Sequence, residues 1–379
     1  MLYIVGIFIS FFLAFLLWHK KNKSEADKIL GLWLFFIGVH LALFYNNFIG
    51  NYVKFPYLLG LEIPFPLIHA PFLYLYTSSL THIWDYKKYR PLHFLPFFLS
   101  YGLFFSFLYS NLANKIWVYQ NKGLGYEIQV KIISTLFSVT SIVYVILSLW
   151  LLKKHKINIR NQFSYLDKIN LIWLRYLILG IALTCIVQFF YDEYTFVVAV
   201  FFVLFIGYYG ISQVGIFTNQ YNLQYQSKGS TQTNLNDDQP ISPNPNTENI
   251  KYNKSGLNDD LANQIHLNLT QLMQNEKLFK NAEISLLDVA KKLNIHPNIL
   301  SQVINTKEQK NFFDYINHYR IKEFKTIASL PNNQKFSLLS LAFDCGFNSK
   351  TAFNRNFKNS TGLTPTAYLA QQHIILNSY

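Results

Sequence analysis

Two short stretches near the C-terminal end carry the side chains with the most specific chemistry. Asn298, Ser301 and Gln302 fall three and four residues apart, as do Lys350, Thr351, Asn354 and Arg355, so each set shares one face of a helix. These are the residue types that read base edges. Asn and Gln pair bidentately with adenine, Arg and Lys with guanine, and a Thr methyl packs on thymine. Lys307, Lys310 and Lys358 flank the two sets and suit phosphate oxygens. On one isolated helix, such residues would read only as a solvated face; here the pattern occurs twice.

The elements that must hold these faces repeat as well. Ser285 to Leu293 and Ser337 to Phe347 share their apolar positions and a small residue, Ala290 or Ala342, one turn into the helix. Each is followed by a turn, Asn294 to Pro297 or Gly346 to Ser349, and then by a second helix, expected over Pro297 to Asn305 and Ser349 to Lys358. Small residues let the two helices of each copy cross closely, and the turn sends the second off at a steep angle. Between the copies, Phe313, Ile316, Arg320, Phe324 and Ile327 recur at helical spacing, which predicts a connecting helix over Asn311 to Ser329. Two groove readers on one face of a duplex need about one helical turn, roughly 34 Å, between them. Upstream, Asn258 caps an amphipathic helix running to Asn275, which either packs on the first repeat or pairs with its twin in a homodimer. From Ala282 onward, eleven Lys and Arg face six Asp and Glu, a modest positive balance for a phosphate-binding surface.

With these strings in view, residues from about Leu257 to Leu369 resemble the AraC-type DNA-binding domain. The resemblance rests on Leu300-Ser301-Gln302-Val303-Ile304-Asn305, on Phe313-Asp314-Tyr315-Ile316-Asn317 with Tyr319-Arg320, and on Gly346-Phe347 followed by Phe353, Arg355, Phe357-Lys358, Thr361-Gly362-Leu363-Thr364-Pro365 and Tyr368. It implies a double-stranded DNA operator read in successive major grooves, with RNA polymerase as a further candidate partner. Two positions depart from the family pattern: Gln309 stands where Gly is usual, and Leu369 where a basic residue is common.

The N-terminal half has a different composition. The chain is 51% hydrophobic and 14% charged, with a formal net charge of +13. Apolar runs of bilayer-spanning length occur at Leu2 to Trp18, Ile29 to Phe48, Tyr57 to Leu80, Pro91 to Tyr109, Ile132 to Leu152, Leu171 to Phe190 and Thr195 to Phe217. The expectation is a seven-helix transmembrane bundle. Basic residues crowd the first, third and fifth loops, twelve in all against four in the others, which places the N-terminus outside and the C-terminal domain in the cytoplasm. The positive cluster follows the first apolar run, the flank order of an uncleaved first helix rather than a signal peptide.

Within the third run, Glu62 and His69 lie among Pro64, Pro66 and Pro71, and intramembrane titratable groups are candidate ligand contacts. The strings Pro64-Phe65-Pro66, Pro71 to Tyr76 and Pro91 to Pro96 are similar to the membrane part of bacterial proteins that join a multi-helix sensor to an AraC-type domain. That looser resemblance implies residence in the bacterial inner membrane and a small-molecule or envelope signal.

Residues 218–256, rich in Asn, Gln, Ser, Thr and Pro, read as a disordered linker. The expected organisation is therefore all-α: a membrane sensor or anchor over 1–217, the linker, and a DNA-binding domain over 257–379 with two helix-turn-helix units joined by one helix. Neither a phosphate-binding glycine loop nor a hydrolase or metalloprotease motif is present, and Cys185 and Cys345 read as core thiols, so no enzyme activity, cofactor or metal is expected. The alternative is a seven-helix transporter or receptor whose helix-turn-helix tail binds a protein partner.

Overall fold

The computed structural model describes residues 2–83, 87–167, 169–190, 192–217 and 258–376. The expected linker lies outside the described residues. Among them the chain is helical, with only an isolated bridge between Phe163 and Ser285 in place of strands. Contacts divide it into two compact units, Met1–His155 with Leu171–Gln232, and Lys156–Asn170 with Thr233–Tyr379.

The first unit begins with α1 (Leu2–His19) and α2 (Glu25–Phe48), joined by a tight turn. Ser24 and Asp27 form a reciprocal cap on α2, and the buried Asp27 carboxylate also meets Lys20 at 3.0 Å. Next come α3 (Pro66–Thr81), α4 (Leu95–Leu103), α5 (Phe105–Leu108) and α6 (Leu112–Gln120). Then follow α7 (Glu127–Gln162), whose last turns belong to the second unit, α8 (Ile172–Phe190) and α9 (Asp192–Phe217). Trp33, Leu34, Phe72, Leu177 and Ile206 knit α2, α3, α8 and α9 into one core.

The third and fourth apolar runs are not single continuous helices. The third is broken into a short 3-10 turn at Pro56–Leu58, irregular backbone to Phe65, and α3; the fourth becomes a 3-10 stretch, Lys87–Phe94, then α4 and α5. Proline is the cause. It cannot donate to the helix ladder but fits a helix's first turn, and Pro66 and Pro96 open α3 and α4 where hydropathy alone reads a continuous span. At 16 and 9 residues, α3 and α4 extend about 24 and 14 Å, short of the roughly 30 Å hydrocarbon layer. Among the described residues, α2 and α7 are by length and composition the helices long and apolar enough to cross a membrane, and shorter apolar stretches lie in α1, α8 and α9.

The second unit contains α10 (Asp259–Asn275), α11 (Leu286–Lys292), α12 (Pro297–Glu308), α13 (Phe312–Ala328), α14 (Leu338–Asp344), α15 (Lys350–Thr361) and α16 (Pro365–Gln371). A side chain caps each of these starts, at Asn258, Ser285, His296, Asn311, Ser337, Ser349 and Thr364. Helix α13 serves two cores at once. Its Phe312, Tyr315 and Ile316 pack with Val289, Leu300 and Ile304, while its Ile321, Phe324 and Ala328 pack with Leu341, Phe353 and Phe357. Of the two roles open to α10, the structure shows the first: Ala262 and Ile265 pack on Val303 of α12.

Candidate nucleic-acid interface

Each helix-turn-helix is set by a close crossing and a left-handed turn. Ala290 and Ala342 are fully buried where their helices cross. The turn of the first copy passes through Asn294 at φ 53°, that of the second through Gly346 at φ 95°. A side chain at Gly346 would stand 2.4 Å from the Phe279 carbonyl and 2.9 Å from that of Lys280, so this position excludes a Cβ on both steric and backbone grounds.

The turns differ by one residue, Leu293 to His296 against Cys345 to Ser349. Aligned on the caps His296 and Ser349, the second helices therefore match as Asn298 with Thr351, Ser301 with Asn354, and Gln302 with Arg355. Their inward faces match in the same register, Leu300, Val303 and Ile304 against Phe353, Asn356 and Phe357, all buried. Asn356 is satisfied inwardly, its side-chain amide donating to the Ala352 carbonyl at 2.8 Å. Both helices run three residues beyond the expected ends, to left-handed caps at Gln309 and Gly362.

Asn298, Lys350, Thr351, Asn354 and Arg355 are exposed, and Ser301 and Gln302 half-buried. Of the flanking lysines, Lys307 lies 3.8 Å from Asp259 and Lys310 3.4 Å from Glu308, while Lys358 is exposed. Burial opposes ionisation of Glu308, but hydrogen bonds from His266 and Lys310 outweigh it and hold the carboxyl below its usual range.

Beneath the interface sits Arg320, 2% exposed, a residue that periodicity placed on the connecting helix without marking its role. Its guanidinium donates to the carbonyls of Phe279 and Asn281, each at 2.8 Å, and so ties the segment leading into α11 to α13. Burial lowers it to about 9, which leaves it protonated at neutral pH. Burial also pushes the Cys345 thiol up to about 12, the behaviour of an unreactive core residue.

Glu62 and His69 lie in the other unit and do not share one lining. Trp33 donates to His69 Nδ1 at 3.3 Å, and His69 Nε2 meets His40 Nδ1 at 3.0 Å. Both histidines border an apolar cavity of about 60 Å³ with Ser141, Thr184 and Cys185. Glu62 stands apart from it, with Oε2 buried and without a hydrogen-bond partner.

Residues 289–371 match the family model described as a helix-turn-helix domain. The matched stretch runs from α11 through α16 and includes both second helices and α13. It supports an AraC-type regulator with DNA as a partner, and it lies wholly in the second unit. No curated protein and no solved structure gives a significant match.

Proposed function

We propose that the chain is a membrane-tethered, sequence-specific transcriptional regulator that reads an operator through α12 and α15. The observation that carries this is the equivalence of Asn298, Ser301 and Gln302 with Thr351, Asn354 and Arg355 on two helices seated against one shared helix. Lys350 joins the second reading face, and Lys307, Lys310 and Lys358 hold phosphates. The bilayer is the partner of the first unit. Support comes from α7, whose most apolar window is only 17% buried, unlike the core helix of a soluble domain. The third and fourth segments cross as broken helices, which a membrane tolerates where protein covers the irregular backbone; Pro64 and Phe65 are buried there. An odd number of crossings, with the N-terminus outside, delivers the C-terminal unit to the cytoplasm. The cavity beside His69 is the candidate site for the signal, and Glu62 a second contact.

Selection from a random duplex pool by the full-length protein in lipid nanodiscs, at two salt concentrations, tests the reading. The expected result is a two-part motif with its parts about one helical turn apart. Absence of any enriched sequence would sink the operator reading and favour a protein partner for the tail.

A further inference from the structure

The last turns of α7 and the short connection that follows belong to the second unit and grip it at several points. Arg160 Nη2 lies 2.9 Å from both carboxylate oxygens of Asp314, with the guanidinium over the Phe313 ring. Phe163 pairs with Ser285 in an antiparallel bridge. The Ser164 hydroxyl donates to the Ile284 carbonyl at 2.7 Å, and the Ser164 carbonyl accepts from Arg320 at 3.2 Å and Asn317 at 3.4 Å. Thus docked, the chain reaches the second reading helix. The Asp167 carboxylate accepts a hydrogen bond from the hydroxyl of Ser349, the cap of α15, and lies 3.8 Å from Arg355.

We infer that residues 160–167 form an intramolecular antagonist of DNA, in which Asp167 occupies the anion position at the start of α15 and engages Arg355. The inference rests on the DNA-reading role proposed above. An anion at a helix N-terminus beside an Arg is the chemistry of a phosphate contact, so the carboxylate and the duplex compete for the same donors. The anchors at Asp314, Ile284 and Arg320 lie away from the reading faces, so they fix the carboxylate in place without using the residues it masks. The stretch begins in the last turn of α7 and runs on toward α8, so it is continuous in the chain with α7.

The test uses the full-length protein in nanodiscs and the duplex it selects. Asp167→Asn and Asp167→Ala should bind about tenfold more tightly than wild type, within the usual span of coupling between sites. The gain should vanish in the Arg355→Ala background, and Asp260→Asn, an exposed charge change elsewhere, should give none. A cysteine pair, Asp167→Cys with Ser349→Cys, should cross-link on oxidation and lose DNA until reduced. Unchanged affinity in both Asp167 variants, with wild type still selecting a sequence, overturns the antagonist and leaves the regulator standing. Failure of wild type and every variant to select a sequence, with the cross-link formed, overturns DNA reading and the antagonist with it.

Discussion

At the scale of single residues, position on the helix separates reading from holding. Arg355 projects from the exposed face of α15 one residue before the inward Asn356, whereas Lys358 lies one turn further on. A bidentate guanine contact by Arg355 is worth roughly 1–3 kcal/mol, and a phosphate contact carries no sequence information. Arg355→Ala should therefore weaken operator binding and relax preference at a single base pair. Lys358→Ala should weaken all duplexes alike and reduce the salt slope by about one. Parallel binding isotherms on the operator and its single-base variants read both effects. Identical base preferences in wild type and Arg355→Ala would show that Arg355 does not read. The placement of these positions on one exposed helix face was legible in the sequence because it needs only residue type and helical spacing. Ser164 and Asp167 carried no such signal, and spacing put Arg320 on the connecting helix without showing its partners, because those partners lie in remote segments.

At the scale of elements, hydrogen bonds and ion pairs between side chains tie the pieces of the second unit together. His266 of α10 meets Glu308 of α12 at 2.9 Å, and Glu323 of α13 takes Lys277 at 2.8 Å and Lys280 at 3.0 Å. Burial opposes ionisation of both carboxyls, yet their hydrogen bonds win and bring each below the ordinary value of 4.5. A carboxyl whose folded value is depressed adds stability that is full above its unfolded value and is lost as pH falls through the folded one. The denaturation midpoint should hold from pH 7 to about 5 and then fall as the pH drops below 4.5. Glu308→Gln with Glu323→Gln should flatten that acid limb, and an unaltered limb would assign the acid response to other carboxyls. Helix periods and caps made α10 and α13 readable to within a residue of their ends. The breaks within the third and fourth apolar runs were not legible in hydropathy, which sums over a window and is blind to the donor that each proline removes.

At the scale of the whole molecule, the proposed threading of the chain turns on α7. Its apolar face carries Ile128, Val139, Ile142, Ile146 and Trp150, all exposed in the isolated chain. A stripe of that extent is costly in water and stable in lipid. Lys153, Lys154 and Lys156 follow it, while Asn121 precedes it among polar neighbours. Positive residues stay on the cytoplasmic side, so the proposed topology puts Asn121 outside and Lys153 inside. In a Cys185→Ala background, Asn121→Cys should react with an impermeant maleimide in intact cells, and Lys153→Cys only after lysis. Cys345 adds little background, since it is fully buried with its thiol pushed up to about 12. Labelling of both positions from the same side would mean that α7 does not cross. The number of crossings after the N-terminus would then change by one, and the lipid route by which α12 and α15 reach DNA would fail, whatever the two helices can read.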